Sequence, residues 1–333
     1  MSDLIRTLLH ELPSFDAESA DAVRERSGQV LRPVGALQRL DEIAVHVAGW
    51  RASTAPAVER PGVLVFAGDH GVTAAGVSNY PADVTAAMLA AVRAGRATIN
   101  AFARAAGATL DVFDVGVGRP TGDIRTEPAL TPQRFDDTVA IAIDAVDDAA
   151  SAGTDLLVLG ELGIGNTTIS AVLPAALIGG DLEQWVGRGT GVDDDGLARK
   201  RTAVAQAVAR IAGTYDPIEV MRQVGGAEHT AIAAACMRAR HHRIPVVLDG
   251  YVATSAVLPM HVAVGGALEH CLVGHLSAET GHRRLLDHLG MSALLDLQMR
   301  LGEGTGALAA VPLIRMACVG VVEVPTFAEW FDA

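Results

Sequence analysis

Basic residues are scarce in this chain: 26 Lys and Arg stand against 39 Asp and Glu, a formal net charge of −13 over 333 residues. Nucleic-acid binding draws most of its affinity from clustered cations facing phosphates. A broad nucleic-acid footprint is therefore excluded, and a small-molecule partner is expected. Cysteine is scarcer still. Cys236, Cys271 and Cys318 are too few and too far apart for a disulfide framework or a CxxC metal site, and they read as buried core fillers. The mixed-charge opening MSDLIRTLLHELPSFD contains no apolar h-region, so no secretory signal is expected. A long uninterrupted apolar run is also missing. GYVATSAVLPMHVAVGGAL, an uncharged stretch that no other exceeds in length, carries Pro259, His261 and several glycines, whereas a membrane span would be less broken. The expected location is the cytoplasm.

Half of the chain is hydrophobic and 20% is charged, enough to bury one large core or two unequal ones. Short apolar runs ending in Gly or Asp recur: GVLVFAGD (62–69), TLDVFDVG (109–116), TDLLVLGE (154–161), IPVVLDG (244–250) and LEHCLVG (268–274). Between them lie alanine-rich segments with helical spacing, notably 82–107 and 194–213. Strands that are apolar throughout belong to parallel sheets covered by helices on both faces. The predicted class is α/β, a Rossmann-like doubly wound, mainly parallel sheet. Residues 1–50 show amphipathic helical patterns without a strand, and the segment after 283 also reads as helical. We expect residues 1–50 and 284–333 to form a small helical subdomain and 61–283 a large α/β domain, with RASTAPAVERPG (51–62) as a linker.

In open parallel sheets the ligand crevice lies at the carboxyl ends of the strands. There the sequence places GDHGVTAAGVSNYP, GELGIGNTT, DGYVATS and GHLSAETGH. Glycines in GELGIGNTT let backbone amides approach an anion, with Asn166, Thr167 and Thr168 as donors; the same pattern suits a tight turn with Asn166 as helix cap. It is neither a Walker loop nor GxGxxG. VGRGTGVDDDGLARK adds a second glycine loop with Arg188 and then Lys200, suited to a phosphate if it faces the first loop; taken alone, the segment reads rather as a solvated turn with DDDG as its exposed acidic tip. In RLGEGTGAL, Glu303 sits between glycines beside Leu301. A carboxylate that a flat apolar ligand shields from water gains a higher pKa and becomes an effective base; one that caps a helix has its pKa lowered. His70, His275 and His282 fit hydrogen-bonding roles better than metal ligation. ARHHR (239–243) reads as a solvated helix end.

Taken together, FAGDHGVTAAGVSNYPADVTAAML, DVGVG, LVLGELGIGNTT, RGTGVDDDGLARK, RIPVVLDGYVATSA, HLSAETGH, LDLQMRLGEGTGAL and PTFAEW resemble, in that order, nicotinate-nucleotide:dimethylbenzimidazole phosphoribosyltransferases. The resemblance runs from about Pro33 to the C-terminus. It implies transfer of ribose phosphate from nicotinate mononucleotide to 5,6-dimethylbenzimidazole, giving α-ribazole 5′-phosphate and nicotinate in cobalamin nucleotide-loop assembly. It further implies a homodimer that needs no metal or other cofactor, and a small helical domain built from both chain ends.

By motif, Glu303 matches the family's general base. Glu161 matches an acid facing the ribose C1′, where charge becomes positive. Gly163, Gly189, Thr190, Gly191, Lys200 and Ser277 match positions on the phosphoribosyl and nicotinate side. Leu162, Gly165, Asn166 and Asp249 belong to the same strand-end motifs, and Tyr80, Met88 and Leu301 to the base pocket. Val34, Tyr80, Met88, Glu323 and Val324 depart from residues common in relatives, which bears on the identity of the accepted base. The same transfer to another azole or aromatic acceptor, and a non-catalytic nucleotide-binding protein on this scaffold, are the alternative functions.

Overall fold

A computed structural model of the chain describes residues 3–332. In order, its elements are α1 (Asp3–Leu9), α2 (Ala17–Ser27), α3 (Gln38–Arg51), β1 (Pro61–Gly68), α4 (Val84–Arg93), α5 (Thr98–Ala106), β2 (Thr109–Gly116), α6 (Pro132–Ser151), β3 (Leu156–Leu162), α7 (Asn166–Leu177), α8 (Asp194–Arg210), α9 (Pro217–Val224), α10 (Ala227–His241), β4 (Val246–Leu248), α11 (Tyr251–Ala263), β5 (Cys271–His275), α12 (Thr280–Leu289), β6 (Ala293–Leu295), α13 (Thr305–Val322) and α14 (Phe327–Phe331).

All six strands pair in parallel, in the order β2-β1-β3-β4-β5-β6. The doubly wound sheet is as expected, and its order is the 2-1-3-4-5 kind, with a switch point where β1 is flanked by β2 on one side and β3 on the other. Successive side chains of a strand point to opposite faces, and here both faces are covered. Leu64, Phe66, Leu157 and Leu159 belong to a core shared with α6, α7, α10 and α11. Val63, Val65 and Val158 belong to a second core, with Ile43 and Val47 of α3 and Leu308, Val311 and Ile314 of α13. A strand enclosed on both sides must be apolar at every position, which is why β1 and β3 show no alternation. The edge strand β2 is only partly covered and accommodates Asp111 and Asp114.

The two chain ends meet through an antiparallel bridge between Val30 and Thr326. Arg26 reinforces it by donating to the carbonyls of Val321 and Val324 and to Glu329. In contrast, α1 packs on α6 and α10 across the sheet from α2 and α3. Helix α13 is, among the described residues, the one helix long and apolar enough to cross a membrane. It packs on β5, α3 and α5, so its composition is that of a core helix.

Two expectations need correction. Residues 293–295 extend the sheet as β6 where the sequence suggests only helix; three residues are too few for a period to be read. The end of α10 is not solvated. Arg240 is buried, its guanidinium lies 4.6 Å from the Trp50 ring centroid, and it donates to the carbonyls of Gly266 and Ala267. His241 and His242 bond the Leu8 carbonyl and Asp147. The amino-terminal segment folds over this end of α10, a contact that the local sequence does not encode.

Candidate active site

A cavity of about 540 Å³ opens at the carboxyl ends of β3, β4 and β5. Its walls bring together most of the positions singled out in the sequence. Glu161, Leu162, Gly163 and Asn166 come from the end of β3 and the start of α7, and Gly189 and Thr190 from the second glycine loop. Asp249 follows β4 and Ser277 follows β5, while Tyr80, Met88, Leu301 and Glu303 complete the lining. Gly165, Gly191 and Lys200 do not reach the wall.

The turn carrying Glu303 is built with unusual backbone. Gly302, Glu303 and Gly304 have φ of 86°, 63° and 89° in succession, a left-handed region that glycine enters freely and other residues do not. The turn presses on β3: a Cβ at Gly160 would stand 2.3 Å from the Glu303 carbonyl oxygen. The Glu303 amide donates to the Glu161 carbonyl at 3.2 Å, so the two acids are fixed relative to each other through their backbones. Asp249 secures the other flank, accepting from the amides of Gly304 (3.2 Å) and Ala307 (2.8 Å) at the start of α13.

The three carboxyls are close enough to disturb one another. Burial, reinforced by Asp249, Glu228 and Glu303, pushes the Glu161 pKa well above the usual range despite the Asn166 amide that donates to it. Burial also raises Glu303, aided by Asp249 and opposed by the Ile99 amide, which donates to Oε2 at 3.3 Å. Both readings of Glu303 thus have substance: it caps a helix, α5 rather than α13, yet desolvation wins. Burial raises Asp249 too, against His275 and the amides it accepts. Asn166 is not the cap of α7, a place taken by Gly165; its side chain is spent on Glu161.

Lys200 is 1% exposed and donates to Thr167 Oγ1 at 2.9 Å, behind the loop at Gly189. Burial lowers its pKa to about 8, with Glu279 pulling the other way. It is also the only lysine in the chain, a signal readable from the sequence. Arg188 turns back to Asp194 and the Val192 carbonyl, and Asp193 caps α8, so DDDG is partly structural. The cation in the cavity wall is instead Arg300, which donates to the Gly189 carbonyl at 3.2 Å. Sequence reasoning passes over it although it stands three residues before Glu303.

Beneath Gly163 lies a further buried group that strand-end reasoning does not assemble. Glu228 Oε1 is 2.6 Å from His70 Nε2 and 3.0 Å from His229 Nδ1, all three side chains fully buried. A Cβ at Gly163 would stand 2.9 Å from His70 Nε2. Burial alone would raise Glu228, but the two imidazoles overcome it and hold its pKa at about 2. Like His70, the other histidines considered take protein partners. His275 Nε2 lies 3.6 Å from Asp249 Oδ1, and His282 accepts from the Ser277 amide and meets Thr254 Oγ1.

Residues 12–330 match a phosphoribosyltransferase family model. The chain is 47% identical over 328 residues, 98% of its length and 96% of the relative's, to the nicotinate-nucleotide–dimethylbenzimidazole phosphoribosyltransferase of Sinorhizobium medicae. It is 48% identical over the same shares to the protein of that name from Rhizobium etli. The crystal structure of CobT from Thermus thermophilus superposes with a TM-score of 0.90 at 41% identity, covering 94% of this chain and 98% of that one. With fold, strand-end motifs and nearly full-length identity in agreement, the chain belongs to the nicotinate-nucleotide–dimethylbenzimidazole phosphoribosyltransferase family.

Proposed function

We propose that this chain transfers the phosphoribosyl group of nicotinate mononucleotide to 5,6-dimethylbenzimidazole, releasing nicotinate and α-ribazole 5′-phosphate, a step of cobalamin nucleotide-loop assembly. The observation that carries this reading is the meeting of Glu161 and Glu303 in one cavity, beside a glycine loop at the sheet's carboxyl edge.

The donor's pyridinium nitrogen leaves with the C1′–N electron pair as neutral nicotinate nitrogen, so no general acid is required. Positive charge grows on the ribose as that bond breaks, and a carboxylate aimed at it lowers the barrier. Glu161 takes this role. Its raised pKa belongs to the desolvated pocket, and a pyridinium cation beside it favours the ionised form. One imidazole nitrogen of the acceptor attacks C1′ from the opposite face, inverting the sugar from β to α. Glu303 accepts the proton from the other nitrogen, which leaves the new ring neutral.

The phosphate lies toward the amino end of α7, where the helix dipole favours an anion. Lys200, behind Thr167, and Arg300, in the wall, supply the balancing charge. An anion at this end restores the Lys200 pKa that burial depresses. Tyr80, Met88, Leu162 and Leu301 form apolar walls for the flat base. Such walls discriminate weakly between rings that differ by a methyl group, which favours, as a second reading, transfer to related azoles. Homodimerisation is part of the proposal; the exposed Met316 and Val319 on α13 and the stacked pair Phe327 and Phe331 offer apolar surface for it. Incubation with nicotinate mononucleotide and a panel of benzimidazoles, purines and phenols, read by mass, tests the assignment. Nicotinate released only with an azole supports it, and no nucleotide product with any acceptor refutes it.

A further inference from the structure

At the amino end of β5, away from the strand ends that carry the cavity, α10 and the beginning of β5 bring together three side chains that the proposed chemistry does not use. Cys236 Sγ and Cys271 Sγ stand 3.4 Å apart. His270 reaches both: its Nε2 is 3.6 Å from Cys236 Sγ and 3.7 Å from Cys271 Sγ, and its Nδ1 is 3.8 Å from Cys271 Sγ. All three are buried, with one ligand atom from each within 4.8 Å of the others. The cysteines are core residues, as the sequence suggests, yet the 35-residue gap between them hides the pairing of Cys236 with Cys271.

Tetrahedral zinc has Zn–S of about 2.3 Å and Zn–N of about 2.0–2.1 Å, so neighbouring ligand atoms lie roughly 3.5–3.8 Å apart. The Sγ–Sγ separation of 3.4 Å and the Nδ1–Cys271 Sγ separation of 3.8 Å are of that size. The imidazole is also held as a ligand requires. Nε2–H donates to the Cys236 carbonyl at 2.9 Å, which leaves Nδ1 as the free lone pair; fixing a ligating ring by a carbonyl bond at its other nitrogen is how metal-bound histidines are oriented. Two thiolates neutralise a dication. The neighbouring Arg240 guanidinium is occupied by the Gly266 and Ala267 carbonyls and by Trp50. A second cavity, of about 470 Å³, is walled by Cys271, His46, His261 and Glu269, and gives a way in from solvent.

We propose that Cys236, Cys271 and His270 bind one thiophilic divalent cation of the zinc class, through two thiolate sulfurs and imidazole Nδ1. A water from the adjoining cavity takes the fourth position. Binding displaces the two thiol protons into solvent and cross-links α10 to β5, independently of the transferase site.

The test uses the full-length, reduced, metal-free, untagged protein, titrated with Co²⁺ and then with Zn²⁺. One equivalent of Co²⁺ should bind with a thiolate-to-cobalt charge-transfer band in the near ultraviolet, which Zn²⁺ should bleach. Cys236→Ser and Cys271→Ser should each weaken binding by about 100-fold and lower the band, and the double variant should abolish it, while Cys318→Ser leaves both unchanged. Should either serine variant fail to fold, thiol counting on the wild type serves instead, at a urea concentration at which the metal-free protein exposes all three buried cysteines: zinc should protect two of three from alkylation. Absence of stoichiometric binding, binding without the thiolate band, or alkylation of all three thiols in zinc overturns the proposal. So does a metal-free product two hydrogens lighter, which would make the pair a disulfide.

Discussion

Glu161 and Glu228 are both buried carboxyls close under the same glycine loop, and their environments drive them in opposite directions. Glu228 has two imidazoles within 3.0 Å and stays ionised down to about pH 2. Glu161 has one amide donor and acidic neighbours, Asp249 and Glu303 among them, so it holds a proton well above the ordinary range. Burial is common to both; partners decide. A paired acid serves the fold, and an acid kept short of partners is available to a substrate that brings the missing positive charge.

The contrast can be broken at several points. The largest effect is expected at Glu303, the proposed base: Glu303→Gln should lower kcat by about 10²–10⁴ while donor affinity, measured by calorimetry, stays within twofold. A near wild-type rate would remove it as the base. Next, Glu228→Gln should destabilise the protein by about 3–5 kcal/mol, because two buried imidazoles lose the carboxylate that faces them. Since its folded pKa is depressed, Glu228 contributes stability above its ordinary value of 4.5 that disappears as pH falls toward about 2. Urea unfolding at pH 7 and pH 3 would show the wild-type–variant gap narrowing, and a constant gap would contradict the pairing.

Glu161→Gln should behave in the reverse way for stability. The folded chain binds this proton more firmly than the unfolded one, so the contribution of Glu161 declines as pH rises above its ordinary value. Glutamine removes that decline, and the variant's melting temperature should exceed wild type by roughly 1–3 °C at pH 8 and match it near pH 4, with turnover about 100-fold lower. A melting temperature lower at both pH values would mean that Glu161 is structural after all. The smallest effect is assigned to Lys200, which acts through Thr167: Lys200→Ala should raise the donor KM about tenfold, near 1.4 kcal/mol, with kcat little changed. An unaltered donor KM would take Lys200 out of phosphate binding.

Much of this architecture can be read from the chain alone, because the signals are local. Strands β1 and β3 are apolar at every position, and the loops that follow strands must carry the ligand, so Glu161, Gly163, Asp249, Ser277 and Glu303 can be picked out one motif at a time. What escapes such reading is set by tertiary contact. Glu228 opens a helix and gives no hint that His70, on a distant loop, lies against it. Strand β6 is too short to show a period. Arg240 looks like a solvated helix end until Trp50 covers it. Lys200 stands out as a cation suited to phosphate, but only the packed structure places Thr167 between it and the cavity.

That single ε-amino group has a practical consequence. With every other basic side chain an arginine or histidine, the protein's surface holds no lysine for acylating or imidate reagents, and the one in the interior is sealed by the loop at Gly189. While it stays desolvated its pKa is about 8, so it gives up its proton more readily than a lysine in water, and a reagent small enough to pass the loop meets a more reactive amine than any exposed lysine would offer. The speed of its modification is thus a built-in clock for how often the loop at Gly189 opens, readable on unlabelled protein without introducing any probe.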